Sequence, residues 1–219
     1  MLRASNIIHS FADLKVLKGV SFEVNPAEIV SIVGSSGAGK TTLLQILGTL
    51  EKPTSGIVSI DGINPFEFSE KKLAAFRNQY IGFIFQFHQL LPEFSALENA
   101  IIPSLIKGDT MSDAKKKALD LFDILGVKDR QNHRPAELSG GEQQRISIAR
   151  SLINSPKIIF ADEPSGNLDS MNANELHKLF FELRDQFKQT FVIVTHNETL
   201  ADKADRKLVM QDGFLISSE

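Results

Sequence analysis

The chain has 219 residues, an apolar fraction of 42% and a formal net charge of −3. That length and composition fit one large globular domain, or one domain carrying an inserted lobe. The mildly acidic balance argues against non-specific binding to nucleic acid or to an anionic membrane surface, and the absence of cysteine excludes a disulfide framework and thiolate chemistry.

In chain order, residues 2–9 read as a strand and Phe11-Ala-Asp13 as a turn. Lys15–Leu17 and Val20–Val24 alternate as half-buried strands do, so the opening predicts a small antiparallel layer. Pro26-Ala27 turns into the apolar run 29–33, a buried strand. Gly34-Ser-Ser-Gly-Ala-Gly-Lys-Thr41 follows, and Thr42–Leu47 reads as a helix stopped by Gly48. Pro53–Gly56 is a predicted turn, Ile57–Ile60 a strand closed by Asp61-Gly62, and Ser69 a cap for a helix running to about Tyr80. Ile81–Phe85 is an apolar strand ending at Gln86.

The middle third is helix-rich. Ser95-x-x-Glu98 is a capping-box pattern, Pro103 and Gly108-Asp109 read as breaks, and Ser112 is placed to cap a helix through Leu125 with Gly126 as its stop. Leu138–Arg145 opens a third helix, to about Ile153. Strand signals then return at Lys157–Ala161 and Thr190–Thr195, separated by a helix up to about Phe187. Leu208–Ile216 reads as a hairpin around Asp212-Gly213. The expected fold is therefore α/β: a core with a mostly parallel sheet, an antiparallel β layer and an inserted helical lobe. It is read as one domain over 1–219, with the core and layer at about 1–86 and 157–219 and the lobe at about 87–156. No apolar run approaches the roughly 20 residues of a membrane span, and Met1–Ser5 is followed by no apolar h-region, so neither a spanning helix nor a signal peptide is expected.

The stretch Gly34–Thr41 matches G-x-x-x-x-G-K-[ST] at every fixed position and lies between a predicted strand and a predicted helix. Gly34, Gly37 and Gly39 let the backbone curl around phosphate, the helix start adds its positive dipole end, Lys40 brings charge to the outer phosphates, and Thr41 offers a hydroxyl to Mg²⁺. Ser35, Ser36, Ala38 and Thr42 complete the candidate nucleotide site. Gly34, Gln86, Asp162 and His196 all fall at the ends of predicted strands, where an open parallel sheet collects its ligand. Asp162 is the candidate metal ligand opposite Thr41. Glu163 is the candidate base for an attacking water, the alternative being a strand-end acid that serves solvation. His196 at a strand end could bind phosphate and position water, although a lone histidine is more often structural. Ser139-Gly-Gly141 at a helix start forms a second anion-binding design, far from the first in sequence. A two-fold dimer would bring the Ser-Gly-Gly face of one subunit over the nucleotide of the other, unless a single subunit folds the two together.

At this point the chain resembles the ATPase subunits of ABC transporters, over essentially all residues. The resemblance rests on Gly34–Thr41, Gln86, Leu138–Arg145, Ile158–Glu163, Asn167–Asp169 and His196, in that order. It implies ATP and Mg²⁺ as cofactors, an ATP-sandwich homodimer and integral membrane permease subunits as partners. It implies a place on the cytoplasmic face of the inner membrane, held peripherally, and no nucleic acid. It also implies roles: Phe11 stacking on adenine with Val16 packed near the base, Gln86 contacting Mg²⁺ and water, and Ser139, Gly140, Gly141 and Glu142 closing on the partner's ATP. Asp162 binds the metal, Glu163 is the catalytic base, Asp169 lies at the dimer seam and His196 is the switch histidine. Taken alone, Phe11 would read as a plain core aromatic. No motif position is degenerate, so an active ATPase is expected.

Asp-Glu-Pro-Ser-Gly-Asn-Leu-Asp (162–169) is similar to the form shared by lipoprotein-releasing, macrolide-exporter and FtsE-type cell-division ATPases, with Ser165 in place of the commoner Thr. Residues 85–99 are most similar to the lipoprotein-releasing branch. Phe87–Phe94 is an apolar stretch just beyond Gln86. It reads either as a docking surface for a helix of the membrane subunit or as lobe core.

Overall fold

The computed structural model describes residues 1–218. Its strands divide between two sheets, and the hydrophobic pattern explains the division. β1 (Leu2–Phe11), β2 (Leu14–Val24) and β4 (Ser55–Ile60) form an antiparallel sheet in the order β2-β1-β4. In β1 Leu2, Ala4 and Ile7 point inward while Arg3 and Asn6 face solvent, the alternation of a sheet with one wet face. The two short strands expected at 15–17 and 20–24 are one continuous β2. Gly19, at φ +105°, carries the strand through, with Asn6 at φ +48° opposite in β1 and the register shifting beside it. That is bulge geometry, and it bends the pair without ending it.

The second sheet has six strands, β3 (Ile29–Gly34), β5 (Ile81–Phe85), β6 (Ile158–Asp162), β7 (Thr190–Val194), β8 (Arg206–Gln211) and β9 (Phe214–Ser218), in the order β5-β6-β7-β3-β8-β9. Every pairing is parallel except the closing hairpin β8–β9. The central strands are predominantly apolar because both faces are covered, and the one polar residue inside β3, Ser31, is buried. On one face, Val30, Ile32, Phe160, Val192 and Val194 pack with α1 (Lys40–Leu47) and the antiparallel sheet. On the other, Ile29, Ile159, Phe191 and Ile193 pack with the helices of the middle and later chain.

Those helices are α3 (Ala96–Lys107), α4 (Met111–Ile124), α5 (Gly140–Leu152) and α6 (Ser170–Phe187), whereas α2 (Glu70–Tyr80) sets its buried Phe76 against the first face. The capping box expected at Ser95 forms, with Ser95 Oγ accepting from Glu98 N at 3.2 Å and Glu98 accepting from Ser95 N at 2.8 Å. Pro103 does not break the chain as expected. α3 runs through it, because Leu97, Ala100 and Ile101 are buried and Asn78 and Asn154 each donate to the Pro103 carbonyl at 3.0 Å. The cap of α4 is Thr110 rather than Ser112, Thr110 Oγ1 accepting from Asp113 N at 3.1 Å. The expected turn at 53–56 is partly strand, since β4 already starts at Ser55. A short helix, α7 (Glu198–Lys203), follows His196 and has no counterpart in the sequence reading; Asn197 caps it through Leu200 N at 3.0 Å.

Candidate functional site

β3 ends at Gly34 and α1 begins at Lys40, so the loop between them sits at the carboxyl edge of the parallel sheet. The loop encloses a cavity of about 580 Å³ lined by Val16, Gly34, Ser36, Gly37, Gly39, Lys40, Thr41, Thr42, Glu163, Val194 and His196. That volume is ordinary for a small-molecule site. Gly37 at φ +79° and Gly39 at φ +98° let the backbone curl around the cavity. Gly34, at φ +151°, has no room for a Cβ, which would stand 2.1 Å from the Met210 carbonyl oxygen. The Lys40 ammonium donates to the carbonyls of Gly34 at 2.8 Å and Ser35 at 3.0 Å, folding back over the loop it follows.

β6 delivers two carboxylates. Asp162 accepts the Thr41 hydroxyl at 3.3 Å. Burial pushes its carboxyl above the usual aspartate range and the neighbouring Glu163 charge adds to this, while the Thr41 hydrogen bond and the Lys40 charge oppose it. A divalent cation at this edge would offset that penalty. Thr41 and Asp162 supply oxygen donors, the chemistry a hard cation takes. Among the described residues no group of three His, Cys, Asp or Glu side chains could hold a metal by itself. The donor set therefore fits Mg²⁺ completed by phosphate oxygens and water.

Glu163 stands at φ +46°, a left-handed conformation that turns the chain sharply out of β6, and its N–H bonds the Val194 carbonyl at 2.9 Å. Its carboxylate meets His196 from the end of β7, with Oε2 2.7 Å from His196 Nδ1 and accepting the His196 backbone N–H at 3.1 Å. His196 is otherwise open to solvent, its side chain 72% exposed, so it is not a core histidine.

Gln86 does not line the cavity. Its Nε2 donates to Asn167 Oδ1 at 3.2 Å and its carbonyl accepts Asn167 Nδ2 at 3.0 Å, tying the end of β5 to the loop after β6. Asn167 was not singled out as a site residue from sequence; its place in the motif Asn167-Leu-Asp169 was the available signal. Phe11 is also off the cavity. It is about half exposed and packs edge-on against His9, with centroids 4.6 Å apart, so the core-aromatic reading fails.

Ser139, Gly140, Gly141 and Glu142 form the start of α5, away from the cavity. Ser139 Oγ accepts from Glu142 N at 3.3 Å, and Glu142 accepts from Ser139 N at 2.8 Å and from Arg130 Nε at 2.6 Å. The Arg130 guanidinium, with the Ser139 donors, holds the Glu142 carboxyl down to about 2. Glu142 thus faces its own helix cap. Asp169 likewise caps α6, accepting Asn172 N at 2.9 Å and Asn172 Nδ2 at 2.6 Å. One protomer brings together the phosphate loop, Asp162, Glu163 and His196, and leaves Phe11, Ser139–Glu142 and Asp169 at other surfaces.

The sequence profile described as ABC transporter matches residues 17–166. The chain is 57% identical over 216 residues to the "Lipoprotein-releasing system ATP-binding protein LolD" of Bacteroides fragilis strain YCH46, covering 99% of this chain and 100% of that protein. It is 56% identical to the protein of the same name from Porphyromonas gingivalis, covering 99% of both. Among solved structures, the dimeric cassette MJ0796, described as a bacterial ABC transporter cassette, superposes with a TM-score of 0.92 at 36% identity over 100% of this chain and 98% of that one. The same cassette in a post-hydrolysis state with ADP and Pi gives 0.91. The chain belongs to the ABC transporter family.

Proposed function

We propose that this protein is the ATP-hydrolysing subunit of a membrane transporter that releases lipoproteins from the bilayer. One observation carries the hydrolytic part: a single cavity is lined both by a complete phosphate loop and by the Glu163–His196 pair. The lipoprotein-releasing assignment, rather than the macrolide-exporter or cell-division branch, is supported by the names of the full-length relatives.

In this reading Lys40 and the loop amides hold the triphosphate, and Val16 packs near the base. Thr41 and Asp162 hold Mg²⁺, which would neutralise charge on the terminal phosphates. Glu163 takes the proton of the attacking water, and His196 orients the Glu163 carboxylate and contacts the γ-phosphate. Gln86, held by Asn167 just beyond β5, would turn its side-chain oxygen toward Mg²⁺ and water. The Ser139–Glu142 cap, Asp169 and Phe11 lie off the cavity of their own protomer. This supports a homodimer in which the Ser139–Gly141 face covers the partner's ATP, and the dimeric state of the MJ0796 cassette adds to it. The single cassette spans 1–219, with the helical lobe at about 87–156.

No helix among the described residues is long and apolar enough to cross a membrane, so membrane attachment would come through partner subunits. We place their docking at Phe87–Phe94. Phe87, Leu91 and Phe94 are all exposed, against the lobe-core alternative, and the segment adjoins a groove of about 520 Å³ walled by Phe83, Phe85, Gln89 and Arg150. The protein then sits peripherally on the cytoplasmic face of the inner membrane.

The test is recovery of tagged Glu163→Gln protein from detergent-solubilised membranes with ATP and Mg²⁺. Two related membrane subunits with bound lipoprotein are expected. A single exporter-like or division-linked membrane protein would transfer the chain to a sister branch. Recovery of no membrane protein would overturn the transporter reading.

A further inference from the structure

One buried titratable side chain lies close to the site and has no part in the roles above. His177, on α6, is only 3% exposed. Its Nε2 is 3.1 Å from the hydroxyl of Ser165, itself buried at 8% exposure. Its Nδ1 is buried and has no hydrogen-bond partner among the described residues. A proton on Nδ1 would be a buried donor with nothing to accept it. We assign the proton of the neutral ring to Nε2, where it donates to Ser165 and leaves Nδ1 an unpaired acceptor, the less costly of the two orphans. Burial, aided by the charge of Lys203 on α7, lowers its basicity in the same direction.

Ser165 lies in the loop that joins Glu163 to Asp169. Gly166 N bonds the Glu163 carbonyl at 3.0 Å and Leu168 N bonds the Ser165 carbonyl at 3.1 Å, so Ser165 lies within two interlocking turns. Just before it, Glu163 is held at φ +46°. Two residues after it, Asn167 makes its two bonds to Gln86, whose Nε2 also lies close against Gly166. The loop is thus secured to β5 on one side by Asn167 and to α6 on the other by His177. A polar pair at this depth is costly unless it is satisfied, and an apolar residue at 177 would fill the same space without reaching the Ser165 hydroxyl.

We propose that His177 is a positioning residue for hydrolysis, holding the Ser165 hydroxyl and through it the turn that aims Glu163 at the phosphate cavity. The proposal rests on the reading of Glu163 as the base. It separates two roles that a packing histidine would not. The cavity walls are untouched by His177, so ATP affinity stays constant, while the rate of the chemical step depends on how well Glu163 is held.

The experiment measures kcat and KM for ATP in Ser165→Ala, His177→Phe, their double variant and Ser165→Thr, with Glu163→Gln as control. Ser165→Ala and His177→Phe are each expected to lower kcat about fivefold, the rate factor of one ordinary neutral hydrogen bond, with KM within about twofold. The double variant is expected to be no slower than either single one, because both remove the same bond. Ser165→Thr, which keeps the hydroxyl, is expected to retain the rate. If His177→Phe does not fold, His177→Leu and the small change Ser165→Ala carry the test, and His177→Gln, whose amide can still donate to Ser165, is expected to keep most of the rate. A kcat within twofold of the unsubstituted protein for Ser165→Ala, additive losses in the double variant, or a raised KM at constant kcat would overturn the proposal. ATP hydrolysis persisting in Glu163→Gln would instead overturn the underlying assignment of the base.

Discussion

Glu163 and His196 meet twice: Glu163 Oε2 lies 2.7 Å from the imidazole Nδ1 of His196 and accepts the His196 backbone N–H at 3.1 Å. The two residues lie just beyond the ends of adjacent parallel strands, β6 and β7, whose register pairs Asp162 with Val194 and so brings them together. A carboxylate held at two points is oriented before a water arrives, which is what a general base requires. Glu163→Gln is expected to reduce kcat by about a hundredfold or more, while ATP binding is retained. Phosphate release under steady state, with nucleotide binding measured on the same preparation, checks this.

The phosphate loop depends on Gly34 for space and on Gly37 for conformation only. A Cβ at Gly34 would meet the Met210 carbonyl oxygen at 2.1 Å, whereas at Gly37, with φ +79°, it would meet nothing within 4 Å. Gly34→Ala is expected to cost about 2 kcal/mol or more of folding stability and to abolish ATP-induced stabilisation. Gly37→Ala is expected to cost about 1 kcal/mol, the strain of a left-handed alanine alone. Denaturant unfolding with and without ATP separates the two.

Phe87 is 69% exposed and contributes little to the core. Phe87→Asp is expected to leave folding stability within about 0.5 kcal/mol and ATP binding intact, since it touches neither cavity nor core. It is expected to lose the membrane subunits in co-purification. Retention of those subunits at the unsubstituted level would remove Phe87 from the docking surface.

The cap of α5 carries a pH dependence. Arg130 and the Ser139 donors hold the folded Glu142 carboxyl at about 2, below its ordinary value of 4.5. The unfolded chain therefore takes up the proton first, and the contribution to stability is complete above about pH 4.5 and is lost as pH falls toward 2. Thermal midpoints are expected to fall more steeply across that window in the unsubstituted protein than in Glu142→Gln. Because the Arg130–Glu142 pair is partly exposed, high salt is expected to narrow the difference.

Much of the molecule is legible in its residue order. The strands at 29–34, 81–85, 158–162 and 190–194 are short, mostly apolar runs, and such runs need no partner to be recognised. The phosphate loop and the Ser139 cap are equally local, since each is a few consecutive residues whose backbone geometry depends on glycine or on a hydroxyl three residues from a carboxylate. Where the sequence misled, a local rule met a tertiary one. Pro103 ends an isolated helix, yet here the burial of Leu97, Ala100 and Ile101 carries α3 through it, with the amides of Asn78 and Asn154 anchoring the Pro103 carbonyl. Gly19 ends an isolated strand, yet here it forms the bulge that lets β2 continue.

By itself, then, the sequence determined the α/β class, the phosphate loop and the identities of Asp162, Glu163 and His196 as strand-end groups. These depend on periodicity and on short-range backbone chemistry. Only the tertiary structure decided which of them meet. Strand order set β6 beside β7 and so put Glu163 on His196. It turned Gln86 to Asn167, left Phe11 and the Ser139–Glu142 cap off the cavity, and buried His177 against Ser165. Those contacts join residues 12 to 81 positions apart, and no local pattern encodes a distance of that kind.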